Sequence, residues 1–148
     1  MTAKSSSRSA ARLAAVQALF QHDMEKTPIP KLLKEFHDHR LGAEIEDDQY
    51  QEAEVAFFDD LVTGVDQKRD EIDALITEKL ASGWSMGRLD KTMLQILRSG
   101  SFELLMREDV STAVVIDEYV DVAHAFFDQK ESGFVNGLLD AIAKKVRG

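Results

Sequence analysis

Ile116-Asp117-Glu118-Tyr119-Val120-Asp121-Val122-Ala123-His124, followed after a short polar break by Gly133-Phe134-Val135-Asn136-Gly137-Leu138-Leu139-Asp140, is the stretch that decides the fold. Asp109-Val110-Ser111 places N-cap oxygens ahead of the first segment, which reads as a helix through Phe126. Ser132 offers the same signal ahead of the second, which reaches Lys145 and carries cations where the helix dipole is negative.

The same reading extends upstream. Leu89, Met93, Ile96, Leu97, Leu104 and Leu105 form the apolar side of a helix from about Leu89 to Met106, preceded by a loop, Ser82-Gly83-Trp84-Ser85-Met86-Gly87. A helix from about Asp48 stacks Val55, Phe58, Leu61, Val62 and Val65, and a break near residues 66–69 separates it from the helix of Ile72, Leu75, Ile76 and Leu80. Pro28 and Pro30 mark the start of a short helix with Leu32, Leu33 and Phe36, because proline is tolerated in a first turn. Residues 37–47 read as a polar connection broken by Gly42. From about Ser9 to His22, the spacing of Leu13, Val16, Leu19 and Phe20 predicts one buried stripe. The fold class is all-α, a single-domain bundle of about seven helices over residues 8–148 behind a flexible basic arm over residues 1–7.

A chain of 148 residues suits one domain, and 44% hydrophobic with 30% charged residues is a soluble globular composition. The absence of cysteine excludes disulfides and thiolate metal sites. No apolar run approaches the roughly 20 residues of a membrane span, and the N-terminus lacks a signal peptide's apolar segment, so the expected location is the cytoplasm.

The net charge of −9 sets the average field against nucleic acid, yet both ends are basic. Lys4, Arg8 and Arg12 precede the first carboxylate, and Lys144, Lys145 and Arg147 follow the last. The acid concentrates between Glu44 and Asp60, which hold no Lys or Arg. If the termini converge on one face beside Phe134, that face is locally positive; solvated faces kept for solubility explain the same runs without a ligand.

Parts for catalysis are missing: there is no phosphate-cradling Gly-x-x-x-x-Gly-Lys loop and no Gly-x-Gly-x-x-Gly turn, and the Gly-x-Ser-x-Gly spacing of Gly83-Trp84-Ser85-Met86-Gly87 falls in a loop with no strand before it to form a nucleophile elbow. His37 and His39 fall about 200° apart on a helix, so they share no metal face and read as a surface loop. The expectation is a non-enzyme without metal or cofactor.

RNA contact is the better reading. Arg8 and Arg12, four residues apart, share a helix face that can meet successive phosphates, with Lys4 reaching another. A basic helix start without a ligand has the same spacing, although cations oppose the dipole there. Phe20 and Phe134 are candidate stacking platforms for unstacked bases, while at helical spacing either ring also suits a core. Phe134 follows the polar Lys130-Glu131-Ser132-Gly133 break, and Asn136 is placed in the first turn of the last helix, where free backbone N–H groups accept anions.

The pair of segments that opens this reading resembles the C-terminal signature of the NusB family of bacterial transcription antitermination factors. Arg12 to Gln21 is similar to the family's first helix, Phe57 to Val65 to its phenylalanine-to-glycine segment, and Leu89 to Leu105 to the stretch before the signature. Four blocks in the family's order span nearly the whole chain. The resemblance implies an all-helical, non-enzymatic factor that binds boxA-type single-stranded RNA with NusE, a small-subunit ribosomal protein, joins elongating RNA polymerase and supports ribosomal RNA operon transcription. It further implies RNA contact at Arg8, Arg12, Phe20, Arg98 and the stretch from Lys130 to Phe134, with Asp90 on a separate partner-binding part of the surface. Ser111 departs from the family, where proline is frequent, and Phe127 to Ser132 replaces a glycine-containing turn. The alternative is a protein-interaction module whose acidic face binds a basic partner and which has little RNA affinity.

Overall fold

Between Ala3 and Glu25 the chain holds no glycine or proline, and nothing there interrupts a helix. The computed structural model describes residues 3–39 and 48–148, and side chains over residues 7–38 and 54–148. The first helix, α1, spans Ala3–Glu25, so the arm expected over residues 1–7 is helical from Ala3 onward. It ends at Lys26, whose φ of 59° is the left-handed conformation that closes many helices. The Lys26 N–H bonds the His22 carbonyl at 2.9 Å, and His22 Nδ1 donates to the Thr27 carbonyl at 2.6 Å.

The remaining helices are α2 (Ile29–His39), α3 (Asp48–Gln67), α4 (Arg69–Lys79), α5 (Lys91–Met106), α6 (Thr112–Phe126) and α7 (Gln129–Val146), with a 3₁₀ turn at Met86–Arg88. Among the described residues there are seven α-helices and no strand, which is the all-α architecture expected. Lys68 alone separates α3 from α4, at the predicted break, and Gly64 stays inside α3. Gly42 and the acidic Glu44, Glu46 and Asp47 lie outside the described residues, as does the Lys4 side chain.

The chain divides into two compact units, one ending at Gly64 and the other starting at Val65. In the first, α1 packs on α2, and Ala11, Ala15 and Ala18 of α1 are buried. Val16 and Leu19 join that core, but Phe20, one residue further round the helix, leaves the predicted stripe and faces outward. Phe36 of α2 stacks on Phe58 of α3 with centroids 5.3 Å apart. His37 sits in α2, not in a loop, with Nε2 donating to Asp59 Oδ1 at 2.6 Å.

In the second unit α5 is the centre, packed by α4, α6 and α7. Every residue from Met93 to Leu104 is buried, so α5 has no solvent face over that length, and the one-sided helix expected from its apolar spacing is corrected. Gly100 is where the packing is closest: a Cβ there would lie 2.8 Å from Leu139 Cδ1 and 3.3 Å from Tyr119 Cδ2. The Tyr119 hydroxyl donates to the buried Glu103 carboxylate. Ser111 caps α6 as expected, its Oγ accepting from Val114 N at 3.3 Å. The helix α7 starts earlier than expected, after Asp128, and Ser132 is inside it with Oγ donating to the Gln129 carbonyl at 3.0 Å.

Candidate nucleic-acid interface

The first unit carries Arg8, Arg12 and Phe20. The two arginines do share a face of α1, as their spacing requires, but that face turns inward: both guanidinium carbons lie over the Phe57 ring, at 4.7 and 4.9 Å from its centroid. Such contacts hold a cation against a ring by its quadrupole. Arg12 is only 2% exposed, so the expectation that it meets a phosphate is corrected. Arg8 is half-buried and retains a partly open face. Phe20 is 38% exposed, an unusual position for a large ring, and this suits a stacking platform better than a core residue.

The second unit carries the other candidates. Ser132, Val135, Leu138, Leu139 and Ile142 form the buried stripe of α7, which leaves Lys130, Gly133, Phe134, Asn136 and Gly137 on its exposed side. Phe134 therefore projects outward because of its register, not because a helix begins there. Asn136 is likewise exposed, but it lies beyond the first turn, so its backbone N–H is not among the free donors at the helix start. Phe134 and Lys130 line a groove of about 480 Å³ with Trp84, Arg88, Leu89 and Asp90.

Asp90 belongs to that same groove, not to a separate part of the surface, and its structural task is clear. It is the N-cap of α5: Oδ1 accepts from Thr92 N at 2.8 Å and Met93 N at 3.1 Å. A carboxylate so placed satisfies two orphan donors and complements the positive helix end.

Arg98 is the clearest correction. It is 6% exposed, and its Nε and one terminal nitrogen donate to the two oxygens of Asp73 at 2.9 and 3.0 Å. The planar fork of arginine matches a carboxylate in two bonds, and Asp73 supplies that carboxylate from α4. The basic C-terminus is engaged in the same manner. Lys144 pairs with Asp140 at 3.0 Å, and Lys145 bonds Glu78. Arg147 donates to the carbonyls of Glu103, Leu104, Arg107 and Val110.

Two groove residues, Trp84 and Arg88, were not among the sequence candidates. The available signal was a large aromatic among small residues in a segment read as loop, where no periodic apolar face exists to receive it. Among the described residues no cluster of three or more His, Asp or Glu could hold a metal, and no helix is long and apolar enough to cross a membrane.

Exposed rings beside cations on an otherwise acidic helical framework define an all-helical macromolecular-recognition protein. A model of the NusB family matches residues 9–144. The transcription antitermination protein NusB of Novosphingobium aromaticivorans is 67% identical over 140 residues, covering 95% of each chain. That of Sphingopyxis alaskensis is 63% identical over 147 residues, covering 99% of each. Among solved structures, T. maritima NusB matches with a TM-score of 0.76 at 32% identity, over 93% of this chain and 91% of that one. A structure of the antitermination factors NusB and NusE in complex with dsRNA matches with a TM-score of 0.77 at 28% identity, over 94% and 97%. The chain belongs to the NusB family.

Proposed function

We propose that this chain is a non-catalytic, cytoplasmic transcription antitermination factor that binds boxA-type single-stranded RNA together with a NusE-type ribosomal protein. In this reading it acts with elongating RNA polymerase on ribosomal RNA operons. Family membership supports the general role, and the observation that carries RNA contact is the exposed Phe134 ring beside Lys130. A ring open to solvent stacks on a base whose face is free, and a neighbouring cation meets its phosphate. Phe20 and the open side of Arg8 support contact from the first unit, with Lys4 and Asn136 as secondary contributors. Arg12 and Arg98 act on the framework.

The test is a titration of labelled boxA-type RNA, single-stranded and as a duplex, with and without the NusE-type partner. Single strands are expected to bind more tightly than duplex, because stacking rings need unstacked bases. The partner is expected to strengthen RNA binding, and RNA to strengthen partner binding by the same factor. Equal RNA affinity in the presence and absence of partner would remove the cooperative element.

One observation favours a second reading. The guanidinium groups of Arg12, Arg98 and Arg147 are engaged within the fold, which leaves less positive charge for phosphate on a chain of net charge −9. A module that binds a basic protein partner and has little RNA affinity is consistent with that. No RNA response even with partner present would support it over the first.

A further inference from the structure

The chain has one tryptophan, and among the described residues it is the large hydrophobic side chain left most open to water, 54% exposed. Its surroundings hold it in place. Arg88 lies over the indole at 5.5 Å from the ring centroid and donates to the Gly83 carbonyl at 2.8 Å. Gly83 has φ of 89°, a conformation glycine adopts without strain, so the turn that presents Trp84 is built into the sequence. The ring is thus braced from one side by a cation and faces a groove that Phe134 also lines.

The rim of the groove is chemically mixed. Arg88 and Lys130 are cations; Asp90 and Glu131 are carboxylates, and one Glu131 oxygen is buried without a hydrogen-bond partner. A buried acceptor left unpaired is costly and calls for a donor. The combination of three aromatic rings, Trp84, Phe127 and Phe134, with two cations and carboxylate acceptors matches a nucleotide: π faces for the rings, a phosphate for the cations, and amino hydrogens for the carboxylates. An aliphatic side chain of a protein partner would use the apolar floor and leave the charged rim without a role.

We propose that the groove takes one unstacked base of single-stranded RNA, with Trp84 as a stacking surface in addition to Phe134. This rests on the RNA-binding reading above and extends it to the segment between α4 and α5. Bases with an exocyclic amino group, adenine, cytosine and guanine, are favoured over uracil, which presents carbonyls in that position.

The lone tryptophan makes the test direct. Short single-stranded RNAs are titrated into the full chain, with and without the NusE-type partner, following Trp84 emission and, in parallel, the anisotropy of labelled RNA. Emission from Trp84→Phe supplies the partner's background. Quenching is expected to share its midpoint with the anisotropy change and to disappear for an RNA made abasic at the seated position. Trp84→Ala is expected to weaken binding about tenfold, since stacking on one aromatic ring contributes on that scale. Trp84→Phe should retain most of the affinity, and thermal melts of both variants should match the parent because the ring is exposed. Anisotropy that rises while emission stays constant overturns the inference and leaves RNA binding intact. Partner-induced quenching in the absence of RNA assigns the groove to protein and overturns it as well. Failure of any RNA to bind, with partner or without, defeats the underlying RNA-binding reading instead.

Discussion

Arg147 Nε donates to the Leu104 carbonyl at 2.8 Å, joining the end of α7 to the end of α5. The other guanidinium nitrogens reach the carbonyls of Glu103 at 3.0 Å, Arg107 at 2.9 Å and Val110 at 2.8 Å, and the Thr112 hydroxyl at 3.2 Å. A helix leaves its last carbonyls without intrahelical partners, and a cation there also complements the dipole. Arg147→Ala is expected to destabilise the protein by about 2 kcal/mol, measured by urea unfolding. Arg147→Lys should recover little, because one ammonium cannot span the same acceptors. Unchanged stability in both variants would show that water replaces these bonds without loss.

Lys26 holds a left-handed backbone with φ of 59° immediately after α1. A side chain at such a position costs on the order of 1 kcal/mol relative to glycine, part of which is offset by glycine's freer unfolded chain. Lys26→Gly is therefore expected to raise stability by about 0.5 kcal/mol, read as a small upward shift in Tm. A lower Tm would mean that the lysine makes a compensating contact.

The helices were legible because their start signals are local. Ser111 caps from a sequence position next to the backbone group it satisfies, and Pro30 sits in the first turn of α2. The sites were less legible because they depend on partners far along the chain. The resemblance offers Arg98 as an RNA contact, and nothing local reveals that Asp73, 25 residues earlier, holds it. Arg8 and Arg12 were placed on one face of a helix correctly, but their spacing carries no information about Phe57. The polar break before Phe134 reads as a helix start, whereas the ring is exposed because of the register of the α7 stripe.

The exposed pair between Lys145 and Glu78 offers a pH test. A hydrogen bond from Lys145 holds the Glu78 carboxyl below its ordinary pKa, with the charge of the same ammonium adding to the effect. A carboxyl lowered in the folded state contributes stability that is fully present above its unfolded pKa and is lost as pH falls through the folded value. Because the pair is open to solvent and salt, that contribution is small. The NMR titration midpoint of Glu78 is expected to rise toward the ordinary carboxylate range in Lys145→Met and in high salt. A midpoint indifferent to both would remove the pair.

The Arg98–Asp73 pair separates a framework role from an RNA role in one variant series. Removing the carboxylate leaves a nearly buried guanidinium uncompensated, so Asp73→Ala is expected to cost about 3 kcal/mol by urea unfolding. Replacing the cation with an apolar side chain of similar length avoids that penalty, so Arg98→Met should cost markedly less. Salt dependence then reports on phosphate contact, since each such contact on a single strand contributes about 0.7 to the slope of log affinity against log salt. Lys130→Ala, on the groove rim, should flatten the slope by about that amount, while Arg98→Met should leave it unchanged. A flattened slope in Arg98→Met with normal stability would mean that the guanidinium leaves Asp73 to meet RNA, and the interior assignment of Arg98 would have to be abandoned.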